Sequence, residues 1–415
     1  MKMVGTFQTL SVIVALTFLQ NARSLNVVTL PETPEGKPVN LDHPLDLAFI
    51  MDTTGSMGAY IKSAKENIEA IVNEIIQTSQ SRVRLALIEY RDHPPQDRTF
   101  VTRVHDFTES VVEMKKWLEN AKANGGGDTP EAVADGLYNV TKLAWSTEAT
   151  KIAVLISDAP PHALDPTADS SFDNGCPELH DPMHIVRKIA KLGVTLYSVG
   201  VEPSVNPYKE FFAAMAYITG GQYVPMRDPR QLINVIIGGA EEELSLKEFT
   251  IEVEYDIEQA IENGGEYDEN EIAQAAYQRL EAKGAKSTHL VKNKKGLKGP
   301  NKLTIRLAKA PSMDVVRKQM GKKIKRKRLR PYSRRVMSMP IAGRRRYSIS
   351  KMEGSPGIAV YDSPAYMPLR SESRTLKRRR KKMKKETYST EKSKVSLDQI
   401  HRLVKKLSSK RDGGP

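Results

Sequence analysis

The sequence predicts an α/β fold: a doubly wound, mostly parallel sheet, followed by a small α+β segment and a basic, largely disordered tail. Three observations predict it. Short apolar runs that read as buried strands alternate with stretches whose apolar residues recur at helical spacing. That alternation holds over residues 44–245, a usual size for one domain. Charge then divides the chain. Residues 311–415 hold 32 Lys and Arg against 8 Asp and Glu, whereas residues 1–310 hold 32 against 42. The body is therefore acidic, and the basic tail has too few aliphatic residues to bury a core alone.

The first 24 residues read as a secretory signal. Lys2 gives the positive start, Leu10–Leu19 the apolar stretch, and Ala22 and Ser24 the small residues before a cleavage point. The stretch is too short for a membrane span, and no later one is long enough to span, so the chain is expected to be secreted. Residues 25–43 are a Pro-rich linker. A single cysteine, Cys176, excludes an internal disulfide framework; in a secreted chain it is either buried or paired with another molecule.

Leu45–Met51 is the first buried strand, and Ile61, Ala64, Ile68, Ile71 and Ile75 place one apolar stripe on the helix after it. Val83–Ile88 is the next strand and Phe100–Val104 a short edge strand. Val111–Ala121 and Pro130–Ala144 read as helices, the second with a proline near its start. Ile152–Ser157 is a fully buried strand. The helix Ile185–Leu192, the strand Val194–Val199, the helix Tyr208–Ile218, the short strand Gln222–Val224 and the helix Pro229–Glu243 complete the unit. Strands and helices in this order imply parallel βαβ units with helices on both faces.

Residues 246–310 change character. Ile251, Val253, Tyr255 and Ile257 alternate strictly and predict a half-exposed strand, as do Leu303, Ile305 and Leu307; Asn270–Ala282 reads as a helix. In the tail, Leu397, Ile400, Val404 and Leu407 share one helical face while Arg402, Lys405 and Lys406 lie elsewhere, the pattern of a short surface-seeking helix.

In an open parallel sheet, ligands gather at the carboxyl ends of the strands, where the strand order reverses. The first strand ends in Asp52-Thr53-Thr54-Gly55-Ser56, which sets a carboxylate and two hydroxyls at every second position. A loop Gly126-Gly127-Asp128-Thr129-Pro130-Glu131 precedes a helix, and the strand Ile152–Ser157 ends in Asp158. These three loops offer hard oxygen ligands, which suit Mg²⁺, Ca²⁺ or Mn²⁺ and not zinc. No G-x-G-x-x-G or P-loop motif follows the first strand, so a nucleotide site is not expected.

Asp52-x-Thr54-x-Ser56, the Gly-Gly-Gly-Asp-Thr-Pro-Glu loop and Asp158 together resemble the metal-ion-dependent adhesion site of von Willebrand factor type A domains. The resemblance covers residues 44–245. Details around Asp158 and Asn174-Gly-Cys-Pro are similar to the A domains associated with alpha-kinases, although no kinase domain follows. It implies a doubly wound sheet and a metal held by Asp52, Thr54, Ser56 and Asp158, directly or through water. The family's remaining position is usually Thr; here Asp128 falls on it and Thr129 follows, so either is a candidate. It also implies a binding protein, whose metal keeps one position for a carboxylate of an extracellular protein partner; no His or unpaired carboxylate is placed as an obvious base, so an enzyme is not expected. The alternative is a structural matrix protein whose metal only stabilises the fold.

The tail's charge is expected to attract polyanions such as glycosaminoglycans or acidic matrix, not nucleic acid, given the secretory signal. Asn139-Val140-Thr141 is a glycosylation sequon on a predicted helix. Cys176, His162 and His180 contain zinc-binding residue types on one long loop, which is thin support, and are expected to be a structural loop.

Overall fold

The computed structural model describes residues 44–329 and 386–411, apart from residues 80, 170, 173 and 265–266. The expected signal at 1–24, the linker at 25–43 and most of the tail lie outside the described residues. Six strands make the main sheet: β1 (Leu45–Asp52), β2 (Val83–Tyr90), β3 (Thr102–Thr108), β4 (Thr150–Ser157), β5 (Thr195–Val201) and β6 (Tyr223–Met226). Their order is β3-β2-β1-β4-β5-β6, and every neighbouring pair is parallel except β2 with β3. All eight residues of β1 are buried. A central strand covered on both faces must read as a continuous apolar run, as Leu45–Met51 does.

One face of the sheet is covered by α1 (Gly58–Ser79), α2 (Val111–Asn120) and α6 (Leu232–Lys247). Ile61, Ala64, Ile68, Ile71 and Ile75 of α1 are all buried there, as their spacing predicts. The other face is covered by α3 (Val133–Val140), α4 (Pro182–Lys191), α5 (Lys209–Ile218), α9 (Lys302–Ala308) and α10 (Met313–Leu329). Asp181 caps α4 by accepting from the amides of Met183 and His184, and Pro182 begins the helix with its fixed φ. No helix among the described residues is long and apolar enough to cross a membrane.

Beyond the sheet, α7 (Thr250–Gly264), α8 (Glu269–Ala282) and the chain's last helix, α11 (Leu397–Arg411), share a third core. A two-stranded antiparallel ribbon joins β7 (Lys286–Lys292) to β8 (Tyr388–Lys394).

Three expectations are corrected here. Residues 250–264 are helical and not a strand. A spacing of four puts Val253 and Ile257 together in the core, while Ile251 and Tyr255 are 80% and 59% exposed on the opposite side. Residues 302–308 are also helical, capped by Asn301 and burying Thr304, Leu307 and Ala308. The last part of the tail is neither disordered nor surface-seeking. Ile400, Leu403, Val404 and Leu407 are core residues, and Arg402 is buried with them.

Candidate metal site

The strand order reverses between β1 and β4, which are paired in parallel up to Met51 and Ile156. The chain leaves both strands at the same edge, so Asp52 and Asp158 emerge side by side at the switch point of the sheet. Asp52 is fully buried. Its Oδ1 accepts from the Thr54 amide at 2.9 Å and from the Thr54 hydroxyl at 2.6 Å. Thr54 is buried as well, Ser56 is exposed at the start of a single 3₁₀ turn, and the Ser56 hydroxyl donates to Asp158.

Backbone bonds fix the glycine loop over this turn. Asn124 N donates to Thr53 O at 3.2 Å and Gly55 N to Gly125 O at 3.3 Å. At the loop's far end, Glu131 N donates to Pro160 O at 3.0 Å and Ala132 N to Arg91 O at 2.8 Å. Gly126 has φ +79°, and a Cβ there would lie 2.9 Å from Glu131 Oε1, so this position requires glycine on two counts. Asp128 is half-buried and close enough for its charge to act on Glu131; Thr129 is exposed.

The structure adds two acidic neighbours that the motif reading did not assign. Glu131 lies in the glycine loop and Asp92 just beyond β2, and both are buried. Burial and the charge of Asp158 push Asp52 up to about 7, against the pull of its Thr54 hydrogen bonds. Burial, then the charges of Asp52, Asp92, Asp158 and Asp128, pushes Glu131 up to about 10. Burial also raises Asp158, and its bond from Ser56 opposes that. Asp52 Oδ2, Asp92 Oδ2 and Glu131 Oε2 are buried with no hydrogen-bond donor. Crowded, unpartnered carboxylate oxygens of this kind require either protons or a cation. An all-oxygen set of carboxylates and hydroxyls fits a hard divalent ion.

Residues 46–169 match the family described as von Willebrand factor A domain. The chain carries a von Willebrand factor A domain. Relatives of this A domain include an ariadne-like RING finger protein of Acanthamoeba polyphaga mimivirus, 27% identical over 201 residues, covering 46% of this chain and 19% of the relative. The alpha-protein kinase vwkA of Dictyostelium discoideum is 27% identical over 163 residues, covering 39% of this chain and 26% of the kinase. The chain thus aligns with only about a fifth to a quarter of these relatives. Among solved structures, a von Willebrand factor type A protein from Catenulispora acidiphila shares 14% identity with a TM-score of 0.36, over 49% of this chain and 43% of that one.

Other residues singled out from sequence lie apart from this cluster. Asn139 is half-buried on α3, and its Nδ2 donates to Asp135 O at 2.9 Å and Thr102 Oγ1 at 3.2 Å, so a glycan would displace one of these bonds. Cys176 is buried, and a thiol there is pushed up to about 12, first by burial and then by the charge of Asp135. His162 bridges Asp92 and Asp169 at 2.9 and 3.1 Å.

Proposed function

We propose that this is a secreted, divalent-cation-dependent binding protein and not an enzyme. Asp52, Thr54, Ser56 and Asp158, with Asp128 or Thr129, hold Mg²⁺, Ca²⁺ or Mn²⁺, and the ion supplies a positive point on which a partner's Asp or Glu carboxylate seats. The observation that carries this reading is the unpartnered Oδ2 of fully buried Asp52, set among Asp92, Asp158 and Glu131. A cation replaces the protons that such a cluster otherwise holds. Binding is favoured over catalysis because the imidazoles of His93 and His162 are buried and already bonded to Asp135, Asp92 and Asp169.

The basic segment tethers the protein to polyanions of an extracellular matrix. Residues 330–385 alone hold 17 Lys and Arg against 3 Asp and Glu. The charges of the last helix are not available in the same way. Arg402 is buried, Lys405 pairs with Glu269 at 2.9 Å and Lys406 with Glu243 at 3.3 Å.

The test is capture of proteins from extracellular extract in Mg²⁺ and in EDTA. Capture should require Mg²⁺ and be lost in Asp52→Ala. Undiminished capture by that variant would overturn the reading. If EDTA lowers the melting temperature but leaves capture unchanged, the metal is structural only.

A further inference from the structure

We propose that His93, Asp135 and Cys176 form a second metal site, made by other residues than the first, that takes zinc. The three come from separate places: His93 follows β2, Asp135 lies in the first turn of α3, and Cys176 sits in the long segment before α4. All three are buried, with one donor atom from each within 4.8 Å of the others. His93 Nε2 is 3.0 Å from Asp135 Oδ2 and 3.8 Å from Cys176 Sγ, and Sγ is 3.2 Å from Oδ2. Tetrahedral zinc, with bonds of about 2.0–2.3 Å to nitrogen, oxygen and sulfur, separates its ligand atoms by roughly 3.3–3.6 Å. The donors therefore stand within about 0.3 Å of the spacing the ion imposes.

The same geometry argues against a nucleophilic relay. In such a relay the two imidazole nitrogens face different partners, one the thiol and the other the carboxylate. Here a single nitrogen, His93 Nε2, faces both. Three donor atoms brought together in this way suit a coordination centre. His180 orients the carboxylate from its other oxygen: its Nδ1 is 2.9 Å from Asp135 Oδ1 and its ring is stacked on Tyr138 at 4.1 Å. A cleft of about 190 Å³ lined by Asn174, Cys176, His180 and Met313 gives an ion a path to the site. The donor set of imidazole, thiolate and carboxylate is borderline-soft and selects zinc over the Mg²⁺ or Ca²⁺ of the first site. Bound there, zinc would pin the 174–180 segment and the end of β2 to α3.

The test uses the full chain in Mg²⁺-containing buffer. Purified protein should hold about one zinc per chain by elemental analysis. After zinc removal, Co²⁺ should produce the near-ultraviolet absorption of a thiolate–cobalt bond, and added zinc should abolish it. Cys176→Ser should lose that band and His93→Gln should hold less than about a tenth of the zinc. Asp52→Ala should keep both, so a failure at the first site leaves this result intact. Absence of the cobalt band in the unmutated protein, or its persistence in Cys176→Ser, would overturn the proposal whether or not any variant folds.

Discussion

Arg402 and Glu242 form an ion pair of 3.0 Å in which both side chains are buried. Glu243 meets the same guanidinium, and Arg402 Nε donates to the Gly220 carbonyl at 2.9 Å. Tyr197, a fully buried residue of β5, receives a bond from Arg402 at 3.0 Å and donates to Glu243 at 3.1 Å. One arginine of α11 therefore bridges two acids that α6 holds against the sheet.

Removing that arginine leaves Glu242 buried without its ion-pair partner and Glu243 with Lys406 alone. Arg402→Ala should lower unfolding free energy by about 3–5 kcal/mol, the usual cost of breaking a buried pair from one side. Urea denaturation measures it. A loss under about 1 kcal/mol would mean that the acids are solvated after all.

The metal site makes stability depend jointly on pH and cation. Asp52 is raised from 3.8 to about 7 in the folded protein. Without metal, its contribution is present below about pH 4, the unfolded value, and is lost as pH rises through about 7. Glu131 extends the same trend to higher pH. Mg²⁺ replaces the proton, so the rise in melting temperature on adding Mg²⁺ to EDTA-treated protein should be larger at pH 8 than at pH 5. Equal shifts at both pH values would contradict this origin.

Asp52→Asn removes one charge from the cluster while keeping an oxygen for the Thr54 bonds. In EDTA at pH 8 the variant should be more stable than the parent, by on the order of 1 kcal/mol. It should show no Mg²⁺-induced shift. A variant destabilised under those conditions would show that Asp52 matters to the fold for reasons other than charge crowding.

Polyanion tethering is tested by charge, not by truncation, because ending the chain near residue 310 would remove α10 and α11 from the cores they fill. Replacing the eight Lys and Arg of residues 377–385 with Gln leaves those cores alone. Affinity for heparin at moderate salt should fall about tenfold or more, with no change in melting temperature and no effect of EDTA. Unchanged heparin elution would place the anchor elsewhere.

How much of this was legible in the sequence differs by element. The parallel strands announced themselves because burial on both faces leaves nothing but apolar residues, as in β1 and β4. Residues 251–257 misled because a period of two also places every second pair four apart, which is a helical spacing. The interleaved Glu252, Glu254, Asp256 and Glu258 favour helix and are depleted in strands, and that composition was the usable signal. Asp52, Thr54 and Ser56 were readable from their spacing at one strand end. Asp92 and Glu131 were not, since only the packing of three loops brings their carboxylates to Asp52. The Cys176 centre failed for the same reason: its partners, His93 and Asp135, lie far from it in the chain. α11 was hidden by its charge, which reads as a solvated tail until Glu242, Glu243 and Glu269 are seen opposite it.

The docking of α11 also bears on how the molecule is made. Synthesis runs from the amino terminus, and early segments can begin to fold while later ones are still being added. Here β1 to β6 are complete long before Arg402 is translated, yet Glu242 and Glu243 must wait for it. These contacts cannot form until α11 has been made. Every strand of the main sheet can thus be in place while Glu242 and Glu243 have only the hydroxyls of Tyr197 and Thr195 and the Gln222 amide to meet them, and no cation.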